Sequence, residues 1–134
     1  MTDKVGKGLA ILILDDEKDI CQFIKEFFIK RGFDVYTALT GKAAVNIIKK
    51  VQTDIALLDI RLAEKEMTGL DVLKLIKEKR PECQCIIVSY IDDQKLVDQA
   101  MEMGATEYLK KPLTLAEIEK VINRIVKKVR KGAK

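Results

Sequence analysis

A chain of 134 residues that is 48 % hydrophobic and 34 % charged is long enough to bury one core, and by composition it is neither disordered nor a membrane protein. The longest apolar run, Leu9 to Leu14, is far too short to span a bilayer, and the first eight residues lack a secretion signal's apolar stretch. The net charge is +4, but residues 120–134 hold seven cations and no acid, so the body is mildly acidic and the carboxyl end basic.

In chain order, Leu9 to Leu14 reads as a strand buried on both faces. Ile20, Ile24, Phe27 and Phe28 follow at helical spacing, ending at Arg31-Gly32. Phe33 to Thr37 alternates as a second strand, and Gly41 to Val51 carries a second helix on Ala44, Val45, Ile47 and Ile48. Ile55 to Leu58 is a third buried strand that stops at Asp59, and residues 60–68 are polar and irregular. Leu70, Leu73 and Ile76 mark a third helix closed by Lys79-Arg80-Pro81. Cys85 to Val88 is a fourth strand, and Leu96 to Met103 a fourth helix ended by Gly104. Glu107 to Leu109 is a short fifth strand, and Ile118 to Val129 hold helical period as the last helix.

Strands alternating with helices predict a parallel sheet covered on both faces, an open doubly wound α/β fold. Ligands of such folds collect beyond the carboxyl ends of the strands. Asp15-Asp16, then Glu17, end the first strand here, Asp59 the third, Ser89-Tyr90 the fourth, and Lys110-Lys111-Pro112 the fifth. Clustered carboxylates repel and call for a cation. Oxygen ligands in a chain without histidine suit Mg²⁺ rather than zinc. A lysine adds a point charge and a serine a hydrogen bond, which together form a kit for phosphoryl transfer, with a carboxylate able to form an acyl phosphate. A strand-end aspartate can also be a plain helix cap, and Asp16 could serve the first helix that way.

In this order the motifs resemble the receiver domain of two-component response regulators. They are Leu12-Ile13-Leu14-Asp15-Asp16-Glu17, Leu57-Leu58-Asp59-Ile60-Arg61-Leu62, Ile87-Val88-Ser89 and Gly104-Ala105-Thr106-Glu107-Tyr108-Leu109-Lys110-Lys111-Pro112-Leu113. The likeness covers about residues 8–128 of a single domain spanning 1–134, with 129–134 as a basic end. It implies a flavodoxin-like sheet of five strands in the order 2-1-3-4-5. It also implies that Asp59 is the phosphoacceptor, and that Asp15, Asp16, Asp59 and the backbone carbonyl of Arg61 hold Mg²⁺. By the same likeness Lys111 pairs with the phosphoryl group beside a cis Lys111–Pro112 bond. Ser89 then bonds a phosphoryl oxygen, and Tyr108 is the aromatic switch that follows it. Lys110 points the other way along its strand.

The resemblance implies a switch rather than an enzyme with its own substrate. A sensor histidine kinase or phosphotransfer protein donates, and an output domain, a partner protein or a second copy reads the face of the fourth helix, fifth strand and fifth helix. Nucleic acid enters only indirectly, through the basic end. A stand-alone phosphohydrolase would carry its Asp-x-Asp motif after the first strand, whereas Asp59-Ile60-Arg61 follows the third. A phosphorylation-independent binding module is the remaining alternative, although every matched site residue is present. Three cysteines, Cys21, Cys83 and Cys85, suggest reduced thiols and a cytoplasmic setting.

Two features, a loop and a side chain, depart from the family pattern. Ala63 stands where a proline is usual, and Gly69 lies ten residues after Asp59 rather than eight, so the loop is two residues longer and carries Glu64, Lys65 and Glu66. Tyr90 follows the switch serine where a small residue is usual, and a ring there would narrow the approach to Asp59 unless it lies out on the surface.

Overall fold

Two patterns build the molecule: central apolar strands, with Ala10–Leu14 and Ile55–Asp59 buried at every position, and helices with one apolar stripe. The computed structural model describes residues 4–62 and 67–132. Ala63, Glu64, Lys65 and Glu66, with their part of the longer loop, lie outside the described residues, as does Lys134. The elements are β1 (Ala10–Leu14), α1 (Lys18–Ile29), β2 (Asp34–Ala38), α2 (Gly41–Lys50), β3 (Ile55–Asp59), α3 (Gly69–Lys79), β4 (Gln84–Ser89), α4 (Gln94–Glu102), β5 (Glu107–Lys110) and α5 (Leu115–Gly132). Every strand pair is parallel, in the order β2-β1-β3-β4-β5. This is the expected doubly wound order.

Side chains alternate across the sheet and divide the core into two layers. Ile11, Ile13, Leu57, Ile86 and Val88 face α1 and α5. Leu12, Leu14, Leu58, Cys85 and Ile87 face the α2, α3 and α4 side. Each large apolar side chain buried this way contributes roughly 1.5–3 kcal/mol. The edge strand β2 alternates buried and exposed positions, as its sequence predicts.

Helix ends carry their own signals. Thr40 caps α2, and Thr68 and Asp71 form a reciprocal capping box at α3. Gly32 and Gly104, just past α1 and α4, have φ of 95° and 101°, the left-handed conformation that only glycine adopts cheaply. Glu17, not Asp16, is the N-cap residue of α1, and its side chain makes no capping bond. All three cysteines are free and buried. Among the described residues no helix is long and apolar enough to cross a membrane.

Candidate functional site at the carboxyl edge of the sheet

Register decides which side chains meet. Leu14 pairs with Leu58, Asp59 with Val88 and Ser89 with Lys110, so Asp15, Asp59, Ser89 and Lys111 emerge on one edge. Lys111 donates from Nζ to Asp15 Oδ2 at 2.8 Å and to Asp59 Oδ2 at 2.9 Å. All three side chains are a tenth exposed or less. The other carboxylate oxygens accept from backbone: Glu17 N–H to Asp15 Oδ1 at 2.9 Å, and Arg61 N–H to Asp59 Oδ1 at 3.1 Å. One ammonium therefore bridges two carboxylates that backbone amides hold in place. The Lys111–Pro112 bond is cis, as the resemblance implies.

Burial raises the Asp59 carboxyl above the ordinary range, and the Lys111 hydrogen bond and charge offset only part of that. Burial alone would lower Lys111, but its bonds to Asp15 and Asp59 outweigh this and raise it, so it stays charged. Behind them Cys21 donates its thiol to the Asp15 carbonyl at 3.3 Å. Burial, then the Asp15 charge, pushes that thiol up to about 11, so it remains protonated and unreactive at neutral pH.

One carboxylate oxygen from each of Asp15, Asp16 and Glu17 lies within 4.8 Å of the other two. Asp16 accepts no hydrogen bond among the described residues, which leaves it free for a ligand. Asp16, Glu17, Asp59, Arg61, Ser89, Tyr90 and Ile91 line a cavity of about 450 Å³. This donor set of hard oxygens with no histidine or thiolate fits Mg²⁺. Glu17 joins the expected ligands as a further candidate, and its signal was its place directly after the two aspartates.

Ser89 is buried and its Oγ accepts from the Ile91 amide at 3.0 Å. Tyr108 donates its hydroxyl to the Ile91 carbonyl, also at 3.0 Å. The two expected switch residues thus hold opposite sides of one residue. Ile91 was invisible in the sequence because both bonds use its backbone. Lys110 turns outward to Asp92 at 2.8 Å and takes no part in the site.

The Tyr90 ring is 65 % exposed, yet Lys111 Nζ lies 5.5 Å from its centroid. It is at once a surface ring and a wall of the site. Gly69 closes the back. A Cβ there would stand 2.1 Å from the Asp59 carbonyl oxygen, so only glycine permits this approach. The longer loop still brings its glycine against the Asp59 backbone.

A parallel sheet in this order, with acids and a lysine gathered at its carboxyl edge, defines a flavodoxin-like α/β domain of the signalling type. The chain belongs to the response regulator receiver domain family of two-component systems, whose profile matches residues 11–123. It is 30 % identical over 121 residues to the chemotaxis protein CheY of Thermotoga maritima, covering 90 % of this chain and 99 % of that one. It is 33 % identical over 107 residues to a cyclic di-GMP phosphodiesterase of the same organism, covering 80 % of this chain and only 28 % of the relative's length. The crystal structure of a CheY-like receiver domain from Methanospirillum hungatei superposes with a TM-score of 0.87 at 25 % identity, over 92 % of this chain and 98 % of that one.

Proposed function

We propose that Asp59 accepts a phosphoryl group from a phosphohistidine of a sensor kinase or phosphotransfer protein, in a Mg²⁺-dependent reaction, and so switches a partner surface. The Lys111 ammonium held between Asp15 and Asp59 at 2.8 and 2.9 Å carries this reading. It leaves one acceptor carboxylate facing a cavity lined by further acids and a hydroxyl.

An Asp59 carboxylate oxygen attacks phosphorus, the P–N bond to imidazole breaks, and the departing ring keeps the electron pair. Asp59 becomes an acyl phosphate. Lys111 neutralises charge on the transferred group. Asp15, Asp16, Asp59 and the Arg61 carbonyl, with Glu17 beside them, would hold Mg²⁺, which when bound supplies positive charge to the phosphoryl oxygens. The Ser89 hydroxyl donates to a phosphoryl oxygen and in turning gives up the Ile91 amide. Tyr108, tied to the same residue, then loses a fixed partner and can repack against the face of α4, β5 and α5. An output domain, a partner protein or a second copy reads that face. The setting is cytoplasmic, in keeping with three free thiols.

Labelling the chain with a phosphorylated histidine donor tests this. Incorporation is expected with Mg²⁺, to be lost on chelation, and to be absent in Asp59→Asn. Label persisting in that variant would remove Asp59 from the role, and a wild-type chain that never labels would favour a phosphorylation-independent module.

A further inference from the structure

Two cavities meet at the carboxyl edge, and Asp59 and Tyr90 line both. The proposed phosphoryl chemistry uses the polar one. The second, of about 300 Å³, runs beneath α1 toward the start of α5. Ile20, Phe23 and Ile24 of α1, Leu57 of β3, Leu113 and the first residue of α5, Leu115, form part of its apolar wall. Its polar end is Asp15, Asp59 and Lys111, with the neutral Thr114 at its edge.

The charges at that end do not cancel. Two carboxylates share one ammonium, and Asp16 and Glu17 add negative charge close by. Two aromatic rings stand at the mouth: Phe23, 61 % exposed, and Tyr90. An apolar chamber with acids at one end and rings at its mouth suits a cation with a hydrocarbon body. A carboxylate would meet like charge there, and a neutral apolar molecule would leave the excess negative charge unmatched.

We propose that this cavity binds a small arylalkyl ammonium compound, with its aryl group among the α1 and α5 side chains and its ammonium beside Asp59 and Asp15. The consequence for signalling rests on the phosphoacceptor reading of Asp59: an ammonium there would hold the acceptor carboxylate and oppose cation binding next door. The ligand class rests on the cavity alone.

Amide NMR of the full chain, without Mg²⁺, tests it with 2-phenylethylammonium against 3-phenylpropionate. The amine should give saturable shifts at Ile20, Phe23, Leu113 and Leu115, with a dissociation constant on the order of 1 mM. The acid should bind about tenfold more weakly or worse. Leu115→Trp fills the chamber from outside the phosphoryl site and should weaken the amine about tenfold. Should that variant misfold, Phe23→Ala, exposed on α1, removes one ring and should weaken it about threefold. Equal affinity for amine and acid, unchanged affinity in a folded variant, or no saturation would each overturn the inference. A chain that binds the amine but never takes label loses the phosphoacceptor reading and keeps this one. A chain that labels but ignores the amine does the reverse.

Discussion

Asp59 is held in a conflict. Its carboxylate is buried and close to Asp15, and a single lysine serves both. Because burial raises its folded pKa above the unfolded value, its contribution to stability is fully present below the ordinary carboxylate range. That contribution is lost as pH rises through the folded pKa. At neutral pH without Mg²⁺, an ionised Asp59 therefore works against the fold. Asp59→Asn keeps an acceptor for Lys111 and removes the buried charge, so it should melt at a higher temperature than wild type at neutral pH. The gap should close as pH falls through the carboxylate range. Thermal melts at several pH values read this directly, and a variant less stable than wild type at pH 7 would refute it. Asp15, Asp16, Asp59, Ser89 and Lys111 were legible as a set because acids, a hydroxyl and a lysine stand together at four strand ends, although each alone could be a cap or a loop residue. The Ile91 link was not, because nothing in an isoleucine side chain announces two backbone bonds.

At the level of elements, the helix that follows β3 matters most. α3 begins at Gly69, whose amide donates to the Ile60 carbonyl at 3.0 Å, with Thr68 and Asp71 fixing its first turn. The helix start is thereby pressed onto the backbone that carries Asp59. Gly69→Ala would gain helix propensity but place a methyl group inside the Asp59 carbonyl. Overpacking of this kind costs about 1–3 kcal/mol, more than propensity returns. Urea unfolding should show that loss, and phosphoryl labelling should slow because the acceptor backbone must move. A variant of wild-type stability and labelling rate would mean the contact yields freely. Most elements were legible: continuous apolar runs became β1, β3 and β4, and the helical stripe from Ile118 became α5. The turn before β1 was not. It forms because Gly6 N–H reaches the Arg31 carbonyl at 2.8 Å, and Arg130 donates to the carbonyls of Val5 and Lys7. These are long-range bonds without a local pattern. They also give part of the basic end a structural use within the chain, as does the pairing of Arg124 with Glu107 at 3.2 Å.

Across the whole molecule, four acids gather at one edge of the sheet. Asp15, Asp16, Glu17 and Asp59 crowd the carboxyl edge, while Arg130 sits beside Val5 and Lys7 at the entry to β1, the opposite edge. Self-repulsion is therefore concentrated where a cation can relieve it, and stability should respond to Mg²⁺ through that edge alone. A ligand that binds only the folded state at about a hundredfold its dissociation constant adds about 2.7 kcal/mol, close to a 10 °C rise for a chain of this size. Sodium chloride at matched ionic strength should do far less, since screening acts weakly on buried pairs. Asp16→Asn keeps the fold, as Asp16 bonds nothing among the described residues, but removes a candidate ligand, so its melting temperature should barely move with Mg²⁺. Differential scanning calorimetry of both chains in both salts distinguishes the cases. An equal rise in Asp16→Asn would place the cation elsewhere, and an equal rise with sodium would reduce the effect to general screening of an acidic edge.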